Sequence, residues 1–183
     1  MALTMPVSAR DHIQGNPAAP LTLLEYGDYE CPYCGAAYPI VKLVQQQMGD
    51  RLRFIFRDFP LAQVHPHAEL AAEAAEAAGG QGKFWEMHDM LYEHQQALEL
   101  ADLIHYAMAI GLDMPTFEQD LAEHRYAARV REDFKSGVRS GVNGTPTFLI
   151  NGQRHDGAYD LATLLAALEA AEAKGRGHVT RAR

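Results

Sequence analysis

Cysteine is almost missing from this 183-residue chain: Cys31 and Cys34 are the only two. Their scarcity excludes a disulfide-stapled scaffold, which needs several pairs. It also leaves a structural zinc site short, because tetrahedral zinc takes four ligands and the chain offers two thiolates and scattered histidines. No stretch approaches the roughly 18 apolar residues of a membrane helix, and residues 1–20 lack the continuous apolar core of a secretory signal. The expected location is therefore cytoplasmic as encoded, with no membrane partner; removal of a leader would make it periplasmic or extracytoplasmic. An excess of positive charge is missing too. Against 24 Asp and Glu stand 16 Lys and Arg, a net charge of -8, which argues against nucleic acid as a partner. No internal repeat or low-complexity tract is present.

The length suits one domain, and 48% hydrophobic residues can bury a sizeable core. Residues 1–20, rich in Pro, Ala and Gly, read as an arm in which Met5-Pro6-Val7 can add an edge strand. Leu21-Thr22-Leu23-Leu24-Glu25-Tyr26, closed by Gly27-Asp28, predicts a strand buried on both faces. From 32 to 48, Ala36, Ala37, Ile40, Leu43, Val44 and Met48 recur at helical spacing, and Gly49-Asp50 supplies a stop. Residues 51–58 alternate as a second strand, so strand, helix and strand form a crossover unit with a parallel sheet.

After Phe59-Pro60-Leu61 the pattern stays helical for roughly 75 residues, too long for a loop in a compact domain. Helices are predicted at 67–78, ended by Gly79-Gly80, then at 83–94, 100–110, 115–123 and 126–139. Alternation returns at 147–150, followed by a tight Asn151-Gly152 turn and a second hairpin strand at 153–155. A helix at 161–173 closes the fold, with a frayed basic tail from Lys174. The fold class is α/β with an all-helical insertion.

Cys31-Pro32-Tyr33-Cys34 falls where the first strand hands over to the first helix. With Cys31 at the N-cap, Pro32 occupies the first helical position, where its missing N–H costs nothing. The unpaired N–H groups of that helix end favour a thiolate on Cys31, making it the exposed attacking sulfur. Cys34, one turn inward, is the resolving thiol. Glu25 lies among apolar strand positions, and a buried carboxyl there has a raised pKa suited to exchanging a proton with Cys34 through a water. The alternative is a strand-end Glu that reaches solvent. Thr145-Pro146 precedes the third predicted strand; by base rate its bond is trans, whereas a cis bond would present Thr145 as an edge for an extended substrate. His65 and His67 read as capping or solvent-exposed groups. Phe84, Trp85, Met87 and Met90 read as core, part of which can line a peptide groove.

These blocks together resemble the bacterial DsbA-like thiol-disulfide oxidoreductases of the thioredoxin superfamily. The likeness runs from Asp11-His12 through Ala19-Pro20 and Glu25-Tyr26-Gly27-Asp28-Tyr29-Glu30 to the Cys31-Pro32-Tyr33-Cys34 motif. It resumes at Phe59-Pro60-Leu61, His65-Pro66-His67-Ala68, Gln81-Gly82-Lys83-Phe84-Trp85 and Gly144-Thr145-Pro146-Thr147-Phe148. The resemblance implies a thioredoxin-like core at 1–62 and 141–183, with the helical insertion at 63–140 between the second core strand and a cis-proline strand. It further implies a nucleophilic Cys31, a resolving Cys34, Glu25 as the buried acid, and a cis Pro146 that binds substrate together with Thr145. Strongly oxidising members often carry His between the cysteines. Tyr33 stands there instead, which predicts a less depressed Cys31 pKa and a less oxidising potential.

The activity expected is exchange of disulfides with protein thiols, with the Cys31–Cys34 disulfide as the redox group and no other cofactor or metal. The partners expected are protein thiol or disulfide substrates and an unidentified recycling partner, acting on a monomer. Two other functions fit parts of the sequence: a glutaredoxin-like, glutathione-dependent reductase, whose family shares Cys-Pro-Tyr-Cys but lacks a long insertion, and a peptide-binding holdase that grips clients on the helical face.

Overall fold

The computed structural model describes residues 2–179. Among them, five strands form one sheet: β1 (His12–Gly15), β2 (Leu21–Gly27), β3 (Leu52–Asp58), β4 (Thr147–Ile150) and β5 (Gln153–Arg154), in the order β1-β3-β2-β4-β5. The helices are α1 (Pro32–Met48), α2 (Ala68–Gly80), α3 (Phe84–Glu93), α4 (Leu100–Ala109), α5 (Met114–Ala122), α6 (Ala127–Arg139) and α7 (Leu161–Val179). β2 and β3 run parallel, joined by the α1 crossover, and the other pairs are antiparallel.

Central β2 is buried along its whole length, as an apolar strand covered on both faces must be. Side chains alternate across it. Leu21 and Leu23 enter the larger core with Val41, Val44 and Leu164, whereas Leu24 and Tyr26 pack with Ile55, Phe59 and Leu149 on the other face. Glu25 therefore continues the Leu21–Leu23 row. The larger core does not stop at the insertion: Ala71, Ala75, Met87, Leu91 and Phe117 belong to the same cluster as Leu21 and Phe54. Seven alanines of α2 are buried, which is how a helix apolar on nearly every side is accommodated.

Four expectations change. The arm does contribute an edge strand, but at His12–Gly15 rather than Met5-Pro6-Val7. The Met5 and Pro6 carbonyls instead accept bonds from the Arg57 guanidinium, at 3.1 and 3.3 Å. α2 runs through Gly79 and Gly80. Close packing explains Gly79, since a Cβ there would stand 2.8 Å from the His12 ring. The buried face of α1 is Cys34, Ala37, Val41, Val44 and Met48; Leu43 is exposed, because the seat of Cys34 sets the helix rotation. α7 continues past Ala173 to Val179, carried by its alanine-rich run, and residues 180–183 lie outside the described part. The Asn151-Gly152 turn has positive φ at both residues, 48° and 79°, the geometry that joins two twisted strands in a two-residue hairpin.

Candidate active site

Cys31 caps α1 in an extended conformation (φ -70°, ψ 120°), with Pro32 beginning the helix. Its carbonyl accepts the Gly35 N–H at 3.1 Å, and its own N–H donates to the Asp28 carbonyl at 3.2 Å. A side chain 64 residues away completes the cap: Gln95 Nε2 donates to the Cys31 carbonyl at 3.0 Å and to the Tyr29 carbonyl at 2.7 Å. Both cysteines are free thiols. Cys31 is only 3% exposed, not the open sulfur expected, because Thr145 covers it, with Sγ 3.5 Å from the Thr145 carbonyl. The Thr145–Pro146 bond is cis, against the base rate.

The two sulfurs differ sharply. The hydrogen bond from the Cys34 thiol is the largest influence on Cys31, holding its pKa down at about 5; burial opposes it, while Thr145 and the N–H groups of Cys34 and Tyr33 add to it. The Thr145 Oγ1 is buried with no other partner, so this hydroxyl is free to donate to the thiolate form. Cys34 is fully buried. Burial, then its bond to Cys31, then the charge of Glu25 push its pKa well up. Tyr33 turns outward, 66% exposed, and contributes its N–H rather than its ring.

Glu25 is 3% exposed, and its Oε1 has no hydrogen-bond partner. It does not reach solvent. Burial first, and the charge on Cys31 second, raise its pKa to about 8. The buried Tyr92 hydroxyl also lacks a partner, and the charges of Cys34 and Glu25 help raise its pKa after burial itself. Cys31, Cys34, Glu25 and Thr145 are thus assembled from β2, the head of α1 and the segment leading into β4, with Pro32 and Tyr33 forming the first turn between the sulfurs.

No local sequence signal marks Gln95 or Tyr92, and Asp28 enters the sequence only as the close of the first strand and as part of the family-like block. The histidines also depart from expectation. His65 Nδ1 meets Asp28 Oδ2 at 2.8 Å, and His67 Nδ1 meets Glu30 Oε1 at 2.9 Å. His67 occupies the N-cap of α2 without a side-chain cap, because its ring turns to Glu30. Phe84 and Met87 are buried core, with Trp85 and Met90 packed against it. Beside the head of α1 lies a cleft of about 330 Å³ lined by Glu30, Pro32, His65, His67, Gln95 and Glu99, among others; it reaches the residues on either side of Cys31 but not Cys31 itself. A more apolar groove of about 470 Å³, with Leu61, Val64, Val130 and Phe134, contains none of the residues around the cysteines.

Among the described residues, Asp58, Glu76 and Asp133 bring carboxylate oxygens within 4.8 Å of one another, all buried. Neither cysteine takes part. Arg129 already supplies a cation there, 3.4 Å from Glu76 and 2.9 Å from Asp133. Burial, then the neighbouring acids, raise Asp58 well above the usual carboxylate range. Asp133 lies at about 7, raised mainly by burial, with Arg129 opposing.

The family model described as thioredoxin matches residues 8–170. A thioredoxin-like oxidoreductase from Silicibacter pomeroyi is 26% identical and superposes with a TM-score of 0.80 over 90% of this chain and 94% of its own. BdbD from Bacillus subtilis, at 24% identity, gives 0.78 over 88% and 92%, and alpha-DsbA1 from Wolbachia pipientis, at 19%, gives 0.83 over 97% and 98%. A Salinispora arenicola protein named Na(+)/H(+) antiporter NhaA 1 is 49% identical over 95% of this chain but only 27% of its own length. A Mycobacterium protein of the same name is 48% identical over 93% and 28%. The chain thus spans about a quarter of these curated relatives, and no helix among the described residues is long and apolar enough to cross a membrane. With a five-stranded sheet, a helical insertion and a paired-cysteine helix cap, the chain belongs to the thioredoxin family and has the DsbA-like fold.

Proposed function

We propose that the chain exchanges disulfides with protein thiols through a mixed disulfide at Cys31, resolved by Cys34. The observation that carries this reading is the asymmetry of the pair, with Cys31 at about 5 and Cys34 raised well above its ordinary value. In one direction, the Cys31 thiolate attacks a substrate disulfide, forming one S–S bond and releasing one substrate sulfur, which takes up a proton. Bond formation removes the negative charge that helps raise Glu25, so Glu25 ionises more readily and accepts the proton of Cys34. The Cys34 thiolate then attacks Cys31 Sγ, breaking the mixed disulfide and releasing the second substrate sulfur, which takes up the proton passed from Cys34 to Glu25, while the first substrate sulfur takes its proton from solvent. The substrate gains two electrons and two protons, and the protein is left with the Cys31–Cys34 disulfide. The reverse sequence oxidises a substrate dithiol. No further cofactor or metal enters, and Thr145 and Pro146 receive the substrate backbone. A recycling partner restores the pair, and the protein acts as a monomer.

The reading concerns only the part of the antiporter-named relatives that this chain matches. Glutathione-dependent reduction of the glutaredoxin type is disfavoured by the five helices α2–α6, which that smaller fold lacks. The apolar groove favours a second reading, a holdase that grips clients. Cys34→Ser separates the readings: disulfide exchange requires mixed disulfides to accumulate with partner proteins, and Cys31→Ala must abolish both these adducts and insulin reduction. A Cys34→Ser protein that traps nothing, with client protection unchanged in Cys31→Ala, overturns the exchange reading in favour of the holdase.

A further inference from the structure

Tyr33 offers no cation to the nucleophile, but another segment brings one to the cleft lined by Glu30 and Pro32, the residues on either side of Cys31. Asp28 is the hub. Its Oδ2 accepts the Leu61 N–H at 2.8 Å and meets His65 Nδ1 at 2.8 Å. Its Oδ1 accepts the Glu30 N–H at 2.8 Å, and its carbonyl accepts the Cys31 N–H. The carboxylate is wholly buried, and the His65 side chain is largely so. One residue therefore fixes both the helix cap that bears the sulfur and an imidazole 34 positions further along the chain, and the rest of that imidazole faces the cleft lined by Pro32.

We propose that His65 is a positioning residue, clamped by Asp28 at the rim of this cleft so that its imidazolium stabilises the Cys31 thiolate and gives the nucleophile a second, histidine-controlled response to pH. The proposal rests on Cys31 being the attacking sulfur. The charges facing His65 are Asp28 and Glu30 ahead of α1, Cys31 at its cap, and Glu99 across the cleft before α4; His67, on its own segment, is engaged with Glu30. Burial works against protonation of His65. The Asp28 hydrogen bond and charge outweigh it, the Cys31 and Glu30 charges add to them, and the pKa rises above the ordinary histidine value. With Cys31 at about 5, imidazolium and thiolate coexist from about that pH up to the raised histidine pKa. Above it the ring is neutral and the thiolate loses this partner.

Thiolate absorbance of the reduced protein, followed against pH, tests the idea. His65→Gln keeps a donor for Asp28 and removes the charge, so the Cys31 midpoint should rise by about 0.5–1 unit, a ~3- to 10-fold loss of thiolate at pH values below it. His65→Lys, charged throughout this range, should keep the wild-type midpoint. His67→Gln should leave the midpoint in place. An unmoved midpoint in His65→Gln overturns the proposal, and so does an equal rise in His67→Gln. Should the Gln variant fail to fold, His65→Lys decides alone: a raised midpoint there overturns the proposal, and an unchanged one with the histidine inflection gone supports it. The titration reads the sulfur itself, so a failed Cys34→Ser trap leaves this result standing.

Discussion

Glu25 and Cys31 pull the pH dependence of stability in opposite directions, and Glu25→Gln separates them. Stability follows the difference in proton binding between the unfolded and folded chains, about 1.4 kcal/mol per pH unit for one proton. Glu25 is raised from 4.5 to about 8, chiefly by burial. Within that window the folded chain holds a proton that the unfolded chain has lost, so stability falls as pH rises. Cys31 is lowered from 9.0 to about 5, chiefly by the Cys34 hydrogen bond. Here the unfolded chain keeps a proton that the folded chain has lost, so stability rises with pH across that window and is lost as pH falls through about 5. In the reduced protein the two slopes nearly cancel between about pH 5 and 8. Glu25→Gln leaves only the rising slope, worth up to about 4 kcal/mol across three units, less whatever solvent at the cleft mouth screens. Oxidation does the converse: Cys31 no longer titrates, and wild type should lose up to about 4 kcal/mol over the same range, somewhat less because the thiolate charge is gone. Urea unfolding of both proteins in both redox states, from pH 5 to 8, reads all four slopes. Parallel curves for reduced wild type and Glu25→Gln would refute the reasoning.

Arg129→Met should cost up to about 3–5 kcal/mol above pH 7, where Asp133 is ionised, because it removes the cation that faces Glu76 and Asp133; denaturant titration should show that loss shrinking below pH 7 as Asp133 protonates. Gly137→Ala should destabilise by about 1–3 kcal/mol despite its better helix propensity, since the new Cβ would stand 2.6 Å from the Phe59 ring; a raised melting temperature would contradict this. Gln95→Ala should cost about 1–2 kcal/mol by removing two bonds that tie the Tyr29 and Cys31 carbonyls, and hydrogen exchange should speed up in the first turn of α1.

The strand-helix-strand unit, the five inserted helices and the hairpin were legible because hydrophobic period and Gly/Pro punctuation are local signals. The arm was not, since its pairing depends on Arg57 and Glu76 reaching back to it from β3 and α2. For the same reason Gly79-Gly80 was mistaken for a stop: what those glycines accommodate lies across a packed interface. At the site, Cys31, Pro32 and Cys34 declared themselves by spacing at a helix start, and Glu25 by sitting in an apolar row. Asp28, Gln95 and His65 serve the site through bonds between residues 37 to 66 positions apart, and no periodicity encodes such pairings. The depth of Cys31 was missed because Thr145, 114 residues on, supplies its cover.

Those separations have a consequence for the chain during its synthesis. A nascent segment that has emerged only as far as α1 has neither Gln95 nor Thr145, so Cys31 lacks both the tie on its carbonyl and the cover over its sulfur. The largest influence on Cys31, the Cys34 thiol, and the N–H groups of the first turn belong to that same segment, and what arrives only when β4 docks is the contribution of Thr145. The cover over the sulfur is therefore the last part of the site to be built, made by a segment 114 residues beyond the residue it encloses.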